Sequence, residues 1–316
     1  MASFRAIAYR TLFRLRTWQQ SGGPPPTDQQ ARDSLDNAGA LVQPATDVKV
    51  EPTMVQGATE QLTAEWYKPN RSANTSVMLY LHGGGYRTGS CKSHRGFVTH
   101  IAKAAEMNTL LPEYRRAPEN RYPAALEDAR AVYEGLLDDG HRPDEIVVVG
   151  DSAGGGLALA LLLSLRDDAR PLPAGAAVIS PWTDLAITGD SIRTKANKDP
   201  WLDPDGAHKS AKRYYGDASP TDPYVSPLYG NYAHIPPLLI QVGTHEILLD
   251  DSTRLATKAE ADGANVTLSV YRGMWHVWHA FVGRGLPECD RAIDEIGDFL
   301  KKRVKSKEEA SALLDS

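Results

Sequence analysis

The sequence predicts an α/β fold: a mostly parallel sheet of about eight strands with helices on both faces. Three observations predict it. Short runs such as EIVVVG at 145–150 and LLIQVG at 238–243 are apolar without alternation, as strands buried on both faces are. Helix-length segments separate these runs, the βα alternation of a parallel sheet. The glycine-rich stretches LHGGGYRTGS (81–90) and GDSAGGG (150–156) directly follow two such runs, where open α/β sheets place their sites.

Taken in order, the chain opens with MASFRAIAYRTLFRLRTW, which carries Arg5, Arg10, Arg14 and Arg16 and no acid. Phe4, Ile7, Ala8 and Leu12 fall near helical spacing and predict an amphipathic helix. Such a helix packs on its own protein in the commoner case, or lies on a membrane surface. SGGPPPTDQQ at 21–30 is a break, and polar sequence continues to about Gly39. From residue 47 come four β-type runs, VKVEPTMV, TAEWYKP, SVMLYLH and NTLLPEYR. EIVVVG precedes a helix over about 154–167, and AAVISPW (176–182) precedes a Pro- and Tyr-rich span at 197–237. LLIQVG leads to a helix near 250–262. TLSVYRG (267–273) leads to a last helix, with Ile293, Ile296, Leu300 and Val304 on one stripe.

Composition excludes several classes. Net charge is −5 with no long basic block, so nucleic-acid binding has no electrostatic footprint. Cys91 and Cys289 are the only cysteines, and two thiols so far apart fit a reducing cytoplasm better than a disulfide framework. No CxxC, HExxH or EF-hand pattern suggests a metal, and no cofactor motif is present. No apolar run approaches the ~20 residues that span a bilayer, so stable membrane insertion is not expected. Arginines interrupt the apolar stretch that a secretory signal needs.

The chemistry concentrates at strand ends. GDSAG fits G-x-S-x-G, the pattern of a serine on a strained strand-to-helix turn, where Gly150 and Gly154 remove side chains that would collide. In HGGG, three consecutive glycines let backbone amides approach a ligand closely, as the oxyanion of an acyl-transfer intermediate requires. The amides of Gly84, Gly85 and Ala153 are the preferred donors, and Gly83 is an alternative. His82 more plausibly shapes this loop than acts as a base. Ser152 needs such a base. His276 in YRGMWHVWH lies just beyond a strand and is favoured over His279, which is read as starting the next helix. His94, His100, His141, His208, His234 and His245 read as packing or surface residues. The imidazole in turn needs a carboxylate: Glu246, three residues past Gly243, is favoured, with Asp184 and Asp250 as rivals. Tyr86, Trp201, Tyr214, Tyr215 and Trp278 are candidates for lining an acyl or alcohol pocket, with core packing an equal claim on each.

HGGG, GDSAGG, GTHEILLDD and GMWHVWH, with EYRRAPENRYPAALED at 113–128 and SPWTDL at 180–185, resemble the hormone-sensitive lipase family of α/β-hydrolases, the bacterial type-IV esterases. The likeness covers about residues 60–300. It implies an α/β-hydrolase fold and a serine carboxylesterase acting on short acyl esters. Ser152 would be the nucleophile and His276 the base, with an oxyanion hole formed by Ala153 and the HGGG amides. It also implies a cap over the site from the N-terminal helices (1–45, with part of 190–225), leaving 46–316 as the catalytic domain, and a small-molecule ester as partner. The last strand and helix pair often forms a dimer contact in this family, so a homodimer is a candidate assembly. Two departures stand out: Glu246 and Glu113 occupy positions where the family motif has Asp. An amidase or deacetylase of the same fold is the alternative. A receptor-like module without turnover is disfavoured because such receptors lack the histidine.

Overall fold

A computed structural model describes residues 2–20, 26–72 and 76–304. The first half of the predicted break, 21–25, and the tail 305–316 of the predicted catalytic domain lie outside the described residues. Eight strands form one sheet in the described residues: β1 (Val48–Gln56), β2 (Gln61–Pro69), β3 (Val77–Leu81), β4 (Asn108–Pro112), β5 (Ile146–Asp151), β6 (Gly175–Ile179), β7 (Leu238–Gly243) and β8 (Val266–Tyr271). Their order is β1-β2-β4-β3-β5-β6-β7-β8. Only β2 runs against its neighbours; β4 through β8 pair in parallel. Every strand anticipated from sequence is present.

The helices are α1 (Phe4–Gln20), α2 (Asp28–Gly39), α3 (Cys91–Ala105), α4 (Ala124–Asp138), α5 (Ser152–Asp167), α6 (Ser191–Thr194), α7 (Pro204–Tyr215), α8 (Leu249–Ala261) and α9 (Pro287–Lys301). Strand side chains alternate between faces. Ile146 and Val148 of β5 join one core with Leu157, Leu161 and Leu255 from α5 and α8. Val147 and Val149 join the other with Val98, Ile101, Ile296 and Leu300 from α3 and α9. Both faces are thus buried, which explains the unbroken apolar runs. Ile293, Ile296 and Leu300 all face that core from α9, and Val304 is buried just past the helix end.

Three details differ from expectation. The polar stretch to Gly39 is helical: Thr27 and Gln30 form a reciprocal capping box that starts α2. The helix after β5 begins at Ser152 itself rather than near residue 154. His279 lies in a short 3₁₀ turn, Trp278–Phe281, and the last helix starts only at Pro287.

The amino-terminal helices bind the body through polar anchors. In α1, Arg5 donates to the Gly285 carbonyl and Arg10 to that of Gly273, and just before the helix Ser3 bonds both oxygens of Glu288. In α2, Arg32 reaches Glu119 and the carbonyls of Arg87 and Ala117, and Asp36 accepts from Ser90. None of the described helices is long and apolar enough to cross a membrane.

Helix packing yields a paired prediction. A Cβ at Gly297 of α9 would lie 2.5 Å from the Ala104 backbone of α3, whereas one at Gly135 of α4 meets nothing within 4 Å. Gly297→Ala is expected to destabilise by about 1–3 kcal/mol through overpacking. Gly135→Ala is expected to stabilise by about 0.5–1 kcal/mol through helix propensity. Denaturant midpoints of the two variants, measured against wild type, check the opposite signs.

Candidate active site

The carboxyl ends of β3, β5, β6, β7 and β8 lie along one edge of the sheet, and the predicted residues gather there. The turn from β5 into α5 places Ser152 at φ +53°, a left-handed backbone that a non-glycine residue adopts only when its surroundings enforce it. A Cβ on Gly150 would sit 2.3 Å from the Gly154 carbonyl, and one on Gly154 2.1 Å from the Leu81 carbonyl. Both positions therefore require glycine if the turn is to pack this closely.

Three side chains from three strand ends line up. His276 Nε2 is 2.9 Å from Ser152 Oγ, and His276 Nδ1 is 3.0 Å from Glu246 Oε2. With the ring proton on Nδ1 donated to Glu246, Nε2 accepts the serine hydroxyl. The remaining Glu246 oxygen, Oε1, accepts from Ser180 Oγ (2.9 Å) and the Gly243 amide (2.6 Å). Ser180 Oγ in turn accepts the Val277 amide at 3.2 Å, which ties the acid to the residue after His276. The group is almost sealed: Ser152 is 8% exposed, His276 4% and Glu246 0%.

Electrostatics suit a proton acceptor. Burial disfavours the His276 cation, but the hydrogen bond and charge of Glu246, helped by Asp199 and Asp151, outweigh it and raise its pKa. The rival acids are occupied elsewhere. Asp184 holds Thr188, Tyr229 and Arg254; Asp250 accepts the Ser191 amide; neither reaches the ring. His279 Nε2 contacts Gln241 Oε1 at 2.7 Å. His82 is buried, stacks on Tyr114 with ring centroids 4.2 Å apart, and burial pushes its pKa down to about 3. It shapes the loop, as its sequence context suggested.

The glycine loop divides its labour. The Gly83 amide donates to Asp151 Oδ1 at 3.0 Å and to His94 Nε2 at 3.2 Å, so this alternative donor is already committed. Among the described residues the amides of Gly84 (φ +117°) and Gly85 (φ +62°) meet no acceptor. The Ala153 amide lies in the first turn of α5, where backbone N–H groups have no intrahelical partner. Tyr86 and Tyr214 are fully buried and stacked with centroids 3.6 Å apart, joining the glycine loop to α7. Trp278 is buried beneath α1 with Trp275, Tyr215 is half-buried on the main core, and Trp201 is 37% exposed against Phe281.

Sequence reasoning missed Asp151, Ser180 and Asp199. Asp151 fills the variable position of G-x-S-x-G and accepts from Tyr80 as well as Gly83. Burial opposes its ionisation, but His94, Tyr80 and the Gly83 amide together hold its pKa below the ordinary value. Asp199 accepts the amides of Trp201, Leu202 and Ile247, so one carboxylate joins the 199–202 loop to the residue after Glu246. Burial pushes its pKa up to about 6, against the His276 charge and those amides. An aspartate immediately before Pro200 was its one visible signal. Among the described residues no cluster of His, Cys, Asp or Glu could hold a metal ion.

A serine on a strained strand-to-helix turn, a histidine and a buried carboxylate in hydrogen-bonded sequence define the class: an α/β-hydrolase. A family model for the alpha/beta hydrolase fold matches residues 78–280. An acetyl-hydrolase of Streptomyces hygroscopicus is 45% identical over 76% of this chain and 79% of its own length. An esterase of Acinetobacter venetianus is 36% identical over 85% and 87%. The crystal structure of an esterase from the bacterial hormone-sensitive lipase family superposes with TM-score 0.89 at 38% identity, over 96% of this chain and all of that one. A structure of EstE5 soaked with p-nitrophenyl butyrate superposes with TM-score 0.88 at 41% identity, covering 96% and 99%. The chain belongs to the hormone-sensitive lipase family of α/β-hydrolases and is an ester-hydrolysing enzyme.

The protonation of His276 gives a prediction. If His276 is the general base, its ring must be neutral to take a proton, and kcat/KM is then expected to fall as pH drops through its raised pKa, with a midpoint above the ordinary 6.5. Glu246→Asp withdraws the carboxylate by roughly one bond, ~1.5 Å. It is expected to lower kcat about 10²-fold and to move that midpoint down toward 6.5. A pH–rate profile of both proteins measures this; a wild-type midpoint below 6.5 contradicts it.

Proposed function

We propose that the chain is a serine carboxylesterase working through an acyl-enzyme, with Ser152 as nucleophile, His276 as general base and Glu246 as the carboxylate that orients the ring and stabilises its cation. The observation that carries this reading is the unbroken line Ser152 Oγ–His276–Glu246, at 2.9 and 3.0 Å. Ser152 attacks the ester carbonyl while His276 takes its proton. The oxyanion forms against the amides of Gly84, Gly85 and Ala153, each of which can lower the barrier by ~3 kcal/mol. His276 then passes its proton to the leaving alcohol. Water, activated by the same imidazole, releases the acid and restores the serine. No metal or cofactor enters any step.

In this reading α1 and α2, with the segment around α6 and α7, form a cap over the sheet edge. The near-sealed serine and the aromatic stack of Tyr86 on Tyr214 favour short acyl groups. The name acetyl-hydrolase on the 45%-identical Streptomyces relative favours a second reading of the same site, removal of acetyl groups from a larger alcohol or amine. Two free, buried thiols are compatible with a reducing cytoplasm. Strand β8 lies at the sheet edge with Val270 44% exposed, and pairing of two copies there would give a homodimer.

Hydrolysis of a nitrophenyl ester series from acetate to palmitate tests the assignment. Turnover is expected to be highest for the shortest chains, and Ser152→Ala is expected to lower kcat by roughly 10⁵–10⁶-fold. Ser152→Ala at wild-type rates would reject the nucleophile; a preference for palmitate would reject the pocket size while leaving the chemistry intact.

A further inference from the structure

Helix α1 has two unlike faces. Its inner side, Ala6, Tyr9 and Arg10, packs on or bonds to the body. At 100° per residue the opposite side carries Phe4, Ile7, Ala8 and Leu12, and these are exposed, with Phe4 at 92%, Ile7 at 45% and Leu12 at 57%. Most exposed apolar residues on a protein are scattered singly; these lie along one stripe, and a stripe of this kind marks an interaction surface. Trp201 belongs to the same region: its ring and that of Tyr9 both pack on Phe281, and it remains 37% exposed.

Positive charge lies near this region on two separate segments. Arg10 of α1 reaches the Gly273 carbonyl; the Gly273 amide donates to Thr244 Oγ1, which contacts His245 Nδ1 at 3.0 Å. Asp199 bonds the Ile247 amide, which brings the segment carrying Lys195 and Lys198 beside the same loop. The charges that reach His245 are those of Arg10, Lys198 and Lys195; after burial, they push its pKa down to about 4. In a protein of net charge −5, three cations thus come together around His245.

We propose that the outer face of α1, with Trp201 and the neighbouring cations Lys195 and Lys198, is a docking surface for a membrane rich in anionic phospholipid. Exposed Phe, Ile, Leu and Trp next to Arg and Lys is the chemistry that seats a helix in the headgroup region. The inference concerns the surface alone and stands apart from the chemistry at Ser152. It would place ester hydrolysis beside a lipid surface.

Co-flotation of the full chain with large unilamellar vesicles tests it, comparing phosphatidylglycerol mixed with phosphatidylcholine against phosphatidylcholine alone. Binding is expected only to the anionic vesicles and is expected to weaken with added salt. Each cation near such a surface changes affinity about fivefold, so Lys195→Gln with Lys198→Gln should weaken binding about 25-fold. Phe4→Ser with Leu12→Ser should abolish it. Both double variants alter exposed or half-exposed side chains and should keep the wild-type thermal unfolding midpoint, which controls for folding. No binding by wild type, or undiminished binding by Phe4→Ser/Leu12→Ser, overturns the proposal. So does a dimer in light scattering that those two substitutions dissolve while the vesicles stay empty.

Discussion

The left-handed backbone of Ser152 is the constraint around which the rest of this edge is organised. A conformation of this kind costs of order 1–3 kcal/mol and persists only when its surroundings leave no alternative. Here those surroundings are backbone: carbonyls of Gly154 and Leu81 occupy the space that side chains at 150 and 154 would need. The Trp182 amide bonds the Ser152 carbonyl at 2.9 Å, so the segment after β6 also holds the turn. Relaxing the strain would require β3, β5, β6 and α5 to separate. The serine hydroxyl is thereby aimed at the histidine before any substrate arrives.

The same tactic recurs around the site. Tyr86, Ser152, Ser180 and Val277 are non-glycine residues with φ between +46° and +58°, and each follows the end of a different strand. Tyr86 turns the chain after the glycine loop, Ser180 presents a hydroxyl to Glu246, and Val277 returns its amide to Ser180. Strain is thus concentrated where chain segments must stop short and present a side chain, and the buried two-face sheet beneath supplies the rigidity to hold it. Asp151 does comparable work for the glycine loop. By accepting the Gly83 amide it fixes one end of HGGG.

Much of this was legible in the sequence because its causes are local. Largely apolar runs marked the central strands β3, β5 and β7, since both faces of the sheet are covered there. The glycines marked the elbow and the loop, since close backbone approach leaves no other choice. Glu246 and His276 stood at fixed short distances past strand ends. What escaped depends on contacts between distant segments. Nothing near Asp151 announces that it will accept from Gly83, 68 positions away. Asp199 reaches Ile247 across 48 positions, and Ser180 reaches Glu246 across 66. The helical state of 28–39 was readable in principle from the Thr27–Gln30 capping pair, but low hydrophobicity hid it. No residue of that helix is buried, and ion pairs such as Arg32 with Glu119 attach it instead.

Glutamate in place of aspartate at position 246 follows from how the acid is held. Its Oε1 is fixed by Gly243 N–H and Ser180, which leaves Oε2 alone to meet the ring. A carboxylate anchored so close to its own strand end must span the remaining distance with its side chain, and the additional methylene does so without moving β7. Ile247, the next residue, is bonded to Asp199, so the backbone here has little freedom to shift toward the histidine. A longer side chain on a fixed backbone reaches the same hydrogen bond that a shorter one achieves on a nearer backbone. The arrangement also couples the 199–202 loop to the acid through one buried carboxylate. Any movement of that loop must therefore either carry Ile247 along or give up the Asp199 bond beside Glu246.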